Sequence, residues 1–187
     1  KSMDISPNWP KTSTSLADHL EGLGRLDEAV GWAVRAQIMT DDPMAGMKVI
    51  GTLIEFGDIE KIGKFGEQFP EDHIFARIGD GFMAFANSDY AGTIDVFDGL
   101  VLPAEAQLKY VYPVLSMSWV KMRDYARARD YLMRANPLLA SDTSESVDRQ
   151  NLRSAILLAY ILRQTGEERR ADQLLVEAER VIATMPR

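Results

Sequence analysis

Gly24-Arg25-Leu26-Asp27-Glu28-Ala29 opens on a turn residue and runs into an apolar–Ala pattern. The same shape returns as Gly57-Asp58-Ile59-Glu60-Lys61-Ile62, Ser88-Asp89-Tyr90-Ala91-Gly92-Thr93, Arg123-Asp124-Tyr125-Ala126-Arg127-Ala128 and Gly166-Glu167-Glu168-Arg169-Arg170-Ala171. The first residues of successive segments lie 33, 31, 35 and 43 positions apart. Seven residues past each segment stand Ala36, Phe69, Leu100, Ala135 and Ala178, and three before those Ala33, Gly66, Phe97, Leu132 and Leu175. Reading backwards from each turn, Leu20, Leu53, Ala84, Trp119 and Leu162 recur. Small residues precede four of them by three positions, at Ala17, Gly81, Ser116 and Ala159, with Ile50 the exception. Offsets of three, four and seven on both sides of a turn are helical periodicity, so the unit is helix–turn–helix. Small residues where two helices cross let their backbones approach, and a larger apolar neighbour fills the remaining gap.

The spacing of these segments, with Gly24 to Ala29 continuing through Ala36 to Pro43, resembles the tetratricopeptide repeat over about residues 10–186. The resemblance implies an all-α chain: a right-handed superhelical array of about five antiparallel helix–turn–helix repeats. The repeats are expected at 10–42, 43–70, 71–103, 104–137 and 145–186. Within them, helices 10–23 pair with 25–40, 43–56 with 58–68, 71–87 with 90–101, 104–121 with 124–135 and 145–165 with 167–184. Repeat two departs through Gly63 and Gly66 inside its second helix, and repeat three through Thr93 in place of Ala. Pro113 is expected to kink the seventh helix or to mark a break before its true start. The connection from Asn136 to Ser144 lengthens the last spacing, with Asp142, Thr143 or Ser144 as candidate caps for the helix that follows. Residues 1–9 read as the tail of a preceding element, and Met185-Pro186-Arg187 does not read as a capping helix. The segment Asn151-Leu152-Arg153 through Leu157-Leu158-Ala159-Tyr160-Ile161-Leu162 to Thr165-Gly166-Glu167 also resembles the repeat region of bacterial regulators. In those proteins a winged-helix or nucleotide-cyclase domain precedes the repeats.

Composition removes several function classes. The 187 residues include no Cys, which eliminates disulfide scaffolds, thiolate metal sites and thiol nucleophiles and suits a reducing, cytoplasmic setting. Only His19 and His73 are present, too few for a histidine-rich metal centre. The formal net charge is −7; residues 1–100 carry 8 basic and 17 acidic side chains, residues 101–187 carry 13 and 11. No concentrated basic patch exists to displace counterions, so direct nucleic-acid contact is not expected. The longest apolar run, Ala155 to Leu162, falls far short of the roughly 20 residues of a membrane span. No signal peptide is evident after Lys1, and the missing initiator Met suggests a segment of a longer chain.

Catalytic motifs are equally scarce. Gly79-Asp80-Gly81-Phe82-Met83-Ala84 matches a loose dinucleotide pattern, but the repeat register puts it mid-helix, where glycines serve close helix packing. His73 beside Asp72, and His19 beside Asp18, diverge on a helix and read as solvated or capping groups. Asp27-Glu28 and Glu167-Glu168 favour helix N-termini through the dipole; Asp41-Asp42 sits at a helix boundary. No phosphate loop, metal site, cofactor or enzymatic activity is expected.

In tetratricopeptide proteins, partner segments lie against the first helix of each pair. Carried over by offset, the resemblance implies a groove of Thr14, Asp18 and Glu21; Met47, Gly51, Ile54 and Glu55; Phe75, Ile78, Phe82 and Phe85; Tyr110, Met117, Val120 and Lys121; and Arg153, Ile156, Tyr160, Arg163 and Gln164. Such a groove runs from an acidic end through an apolar, aromatic middle to a basic, aromatic end. It would take a protein or peptide segment, or a neighbouring domain of its own chain, with Met and aromatics as anchors and Arg as carboxylate ligand. The three phenylalanines also sit at core spacing. Homodimerisation through the groove, or a small ligand held in it, are the alternatives.

Overall fold

The computed structural model describes residues 10–40, 43–101, 111–140 and 146–185. Residues 1–9, Asp41-Asp42, Pro103, Tyr110, Asp142-Thr143-Ser144 and Pro186-Arg187 lie outside the described residues, as do the side chains of Glu21 and Glu55. Among the described residues there are ten α-helices and no strand. They are α1 Pro10–Gly22, α2 Leu26–Thr40, α3 Pro43–Phe56, α4 Ile59–Gly66, α5 Ile74–Ala86, α6 Tyr90–Asp98, α7 Tyr112–Lys121, α8 Tyr125–Ala135, α9 Leu152–Gln164 and α10 Glu168–Ala183. A 3₁₀ turn, Pro137–Ala140, follows α8. The chain divides into two compact units, Lys1–Asn87 and Ser88–Arg187. The division falls inside the third expected repeat.

The five quoted segments share one geometry. Gly24, Gly57, Ser88, Arg123 and Gly166 all have positive φ, between +63° and +84°. A left-handed residue reverses the chain within one step, which explains why glycine fills three of the five positions. The next residue caps the second helix in three repeats: Asp58, Asp89 and Asp124 accept from the amides of Lys61, Gly92 and Arg127. The sixth position, Ala29, Ile62, Thr93, Ala128 and Ala171, is at most 1% exposed in every repeat. Thr93 tolerates this burial because its hydroxyl donates to the Asp89 carbonyl.

In the first unit each helix packs on the next, α1 through α5. The glycines that break the repeat pattern form the α4–α5 contact. A Cβ on Gly66 would lie 2.9 Å from the Phe75 carbonyl oxygen and 3.2 Å from the Gly79 Cα. Gly79, from the dinucleotide-like motif, is therefore a packing residue in the middle of α5. His73 caps that helix, its Nδ1 accepting from the Phe75 amide at 3.2 Å, and its ring stacks on Phe69.

In the second unit α6 through α10 pack in sequence. Ala128, Leu132, Leu139, Val147, Leu158, Ile161, Leu162 and Leu174 form a shared core. Pro113 is the second residue of α7, in the first turn, where proline's fixed φ suits a helix. The expected helix start at 145 is displaced to Leu152. Asp148 Oδ1 takes the amides of Gln150 and Asn151, Asn151 Oδ1 takes that of Asp148, and Asn151 Nδ2 donates to the Ser146 carbonyl. These side-chain bonds hold the backbone in a turn and put Asn151, not Asp142, Thr143 or Ser144, at the cap position of α9. Ser146 then donates to Glu177 on α10, and Arg149 donates to the Thr184 carbonyl at its C-terminus. Helix α10 exposes Glu168, Arg169, Asp172, Gln173, Glu179 and Arg180, together with Val176 and Ile182.

Candidate functional site

Helices α7 and α9, the first helices of the fourth and fifth repeats, hold a cleft of about 640 Å³. Met117, Val120 and Lys121 line it from α7, Leu157, Tyr160 and Gln164 from α9, and Arg123 and Tyr125 from the intervening turn and the start of α8. Positions 117 and 121, and 160 and 164, are each one helical turn apart, which puts each pair on one face. Met117 and Tyr160 are 40% and 46% exposed, high for large apolar side chains on packed helices. Tyr160 meets Tyr125 edge-to-face at 6.3 Å, and the hydrogen bond to Tyr160, followed by burial, pushes the Tyr125 hydroxyl above the usual tyrosine range. The cleft thus joins a thioether and two aromatic rings to a lysine, an arginine and an amide.

The other expected groove residues fare differently. Asp18 is exposed, but its carboxylate lies 3.1 Å from Lys48 Nζ on α3, so the acidic end already holds a counter-charge. Phe75 and Phe82 are 1% and 3% exposed and belong to the core of the first unit, which removes them from any open groove wall. The close α4–α5 contact draws α5 inward. The Phe75 ring meets Phe65 at 5.6 Å and Phe69 at 5.2 Å, and its tip fills the space beside Gly46 on α3. Phe85 is partly buried. Arg153 and Arg163 are exposed but do not line the cleft, and Arg163 donates to Asp172 on α10 at 2.8 Å. Ile156 is 43% exposed on α9. Reasoning from first-helix offsets overlooked Leu157, Arg123 and Tyr125. The signal for Arg123 was a long cationic residue in a turn slot that glycine fills in three of the five repeats.

Among the described residues, no group of three or more His, Cys, Asp or Glu could hold a metal ion, and no helix is long and apolar enough to cross a membrane. No protein-family model matches the chain, and no curated protein matches it. Solved structures do. MamA of Desulfovibrio magneticus RS-1, from residue 41 to its end, is similar at a TM-score of 0.53 and 14% identity, covering 95% of this chain and 97% of that one. A Podosopora anserina protein described as a kinesin light chain with nearly identical TPR-like repeats is similar at 0.53 and 16%, covering 95% and 96%. The chain has a tetratricopeptide-like fold. At these identities the tetratricopeptide-like architecture is shared and the side chains of the cleft are this chain's own. None of these likenesses supports the link to winged-helix or cyclase-linked regulators.

Proposed function

We propose that the chain is a non-catalytic protein-interaction scaffold whose second unit holds a partner's peptide segment in the α7–α9 cleft. The observation that carries this reading is the pairing of exposed Met117 and Tyr160 with Lys121, Arg123 and Gln164 around one open cleft. Adaptable apolar anchors beside cations suit a segment with an apolar or aromatic residue next to a carboxylate. The tetratricopeptide-like fold, used by many proteins to present helical faces to other chains, supports the reading without naming the partner. The lack of cysteine accords with a cytoplasmic protein.

Selection of a displayed random peptide library on the purified chain tests this. The expected winners combine acidic and apolar residues. Synthetic versions should lose roughly tenfold in affinity against Lys121→Glu, where attraction becomes repulsion, and about fivefold or more against Tyr160→Ala. Peptides that bind both variants as well as the parent would place recognition elsewhere. Light scattering that shows a dimer dispersed by Lys121→Glu would assign the cleft to self-association instead.

A further inference from the structure

A second cleft in the same unit, of about 450 Å³, lies between α6 and the C-terminal end of α7. Its volume falls within the roughly 300–1,000 Å³ of ligand clefts. Ala91 and Ile94 from α6, with Trp119 and Met122 from α7 and its turn, give it an apolar lining. Asp95 and Asp98, three residues apart on α6, give it negative charge. Asp124, Asp130, Glu167 and Asp172 in the second unit each lie within 3.5 Å of an arginine nitrogen. Neither Asp95 nor Asp98 has an ion pair among the described residues. Asp98 accepts a 2.6 Å hydrogen bond from the Tyr131 hydroxyl, a neutral donor that leaves its charge in place. Among the described residues, two nearby arginines already have partners. Arg127 stacks over Trp119 at 4.5 Å and pairs with Asp124, and Arg134 pairs with Asp130 at 2.7 Å.

We propose that this cleft is a second recognition site, which receives a lysine or arginine side chain flanked by apolar residues on a partner polypeptide. The long aliphatic stem of such a side chain covers Ile94, Met122 and the indole, while its charged head reaches the two carboxylates. A divalent metal is a poorer occupant, because two carboxylates beside an apolar lining leave most of its six or more oxygen positions unfilled. The site does not depend on the α7–α9 cleft, and its charge preference is opposite, so each reading can fail without the other.

The probe is the acetylated, amidated tripeptide leucyl-lysyl-leucine, with leucyl-norleucyl-leucine as the neutral control. Two-dimensional amide NMR of the whole chain follows the Trp119 indole N–H and the Gly99 amide. The lysyl peptide should shift both signals saturably and the norleucyl peptide should not. Asp95→Asn with Asp98→Asn should weaken binding roughly tenfold, as expected for the loss of two exposed ion pairs. Asn at 98 keeps an acceptor for Tyr131, so an unchanged spectrum elsewhere verifies the fold. Equal shifts from the neutral peptide, no shift from either, or undiminished binding to the double variant would each overturn the proposal.

Discussion

The Ser116 hydroxyl on α7 donates a 2.8 Å hydrogen bond to the Ala128 carbonyl on α8. Both residues are fully buried, and they occupy the small position and the Ala position of the fourth repeat. The equivalent pairs Ala17 and Ala29, and Ala159 and Ala171, are also buried but bring no hydroxyl to the crossing. Ser116→Ala should therefore keep the packing and lose one net hydrogen bond, about 1 kcal/mol. Ala128→Leu should cost more, about 1–3 kcal/mol, because the crossing has no room for the added carbons. Urea unfolding of the two variants measures both. An Ala128→Leu chain as stable as the parent would mean that the helices do not cross where the repeat register puts them.

The five left-handed turns make a prediction of opposite sign. Ser88 and Arg123 hold φ of 63° with a Cβ present, a conformation that costs a non-glycine residue about 1–2 kcal/mol. Part of that returns as chain entropy when glycine replaces it, so Ser88→Gly and Arg123→Gly should each stabilise the chain by about 0.5–1 kcal/mol. Gly166→Ala should destabilise it by a similar amount, since φ there is 84°. Thermal melting of the three variants checks the set. Arg123→Gly carries a second expectation, weaker binding of acidic peptides in the α7–α9 cleft, so its gain in stability and loss of affinity should separate.

Tyr131 supplies a pH dependence. Burial first, then the hydrogen bond to Asp98 and its negative charge, push the hydroxyl from 10.0 up to about 12. The folded form therefore keeps its proton at pH values where the unfolded chain has released it. This contribution to stability is whole below pH 10, declines as the pH rises and is lost above about 12. Ultraviolet titration of tyrosinate should show late-titrating hydroxyls, and Tyr131→Phe should remove the latest of them. Asp98→Asn should bring it earlier by removing the neighbouring charge. A Tyr131 that titrates with the exposed tyrosines would show that the Asp98 contact is not held in solution.

The turn and crossing positions were legible because they repeat. A left-handed residue and a buried small residue recur at fixed offsets, and the helix ends that flank each turn follow from them. What repeats weakly or not at all escaped. Asp148 and Asn151 rearrange the backbone before α9 through side-chain bonds that no periodicity encodes. Phe75 and Phe82 share their spacing with groove residues, but both are buried, with the Phe75 ring tip in the space beside Gly46. In the cleft, Met117, Lys121, Tyr160 and Gln164 follow from family offsets on first helices. Arg123 and Tyr125 belong to the turn and the second helix, to which those offsets do not extend.

Arg163 and Arg153 are both exposed on α9, and Arg163 already holds an ion pair. Sequence reasoning makes them equal ligands for a partner's acidic end, so that reversing both should weaken binding at little cost in melting temperature. The 2.8 Å contact from Arg163 to Asp172 assigns Arg163 instead to the α9–α10 pair. Both side chains are more than half exposed, so the ion pair is worth about 0.2–1 kcal/mol. Arg163→Glu should lower stability by about that amount and leave acidic-peptide affinity unchanged. The swap of Arg163→Asp with Asp172→Arg should recover most of the loss, because the pair is re-formed with its charges exchanged. A double-mutant cycle in urea, run beside peptide titrations, tests both halves. If Arg163→Glu alone abolished peptide binding at unchanged stability, the ion pair would be incidental, and the site would extend from Gln164 along α9 beyond the cleft.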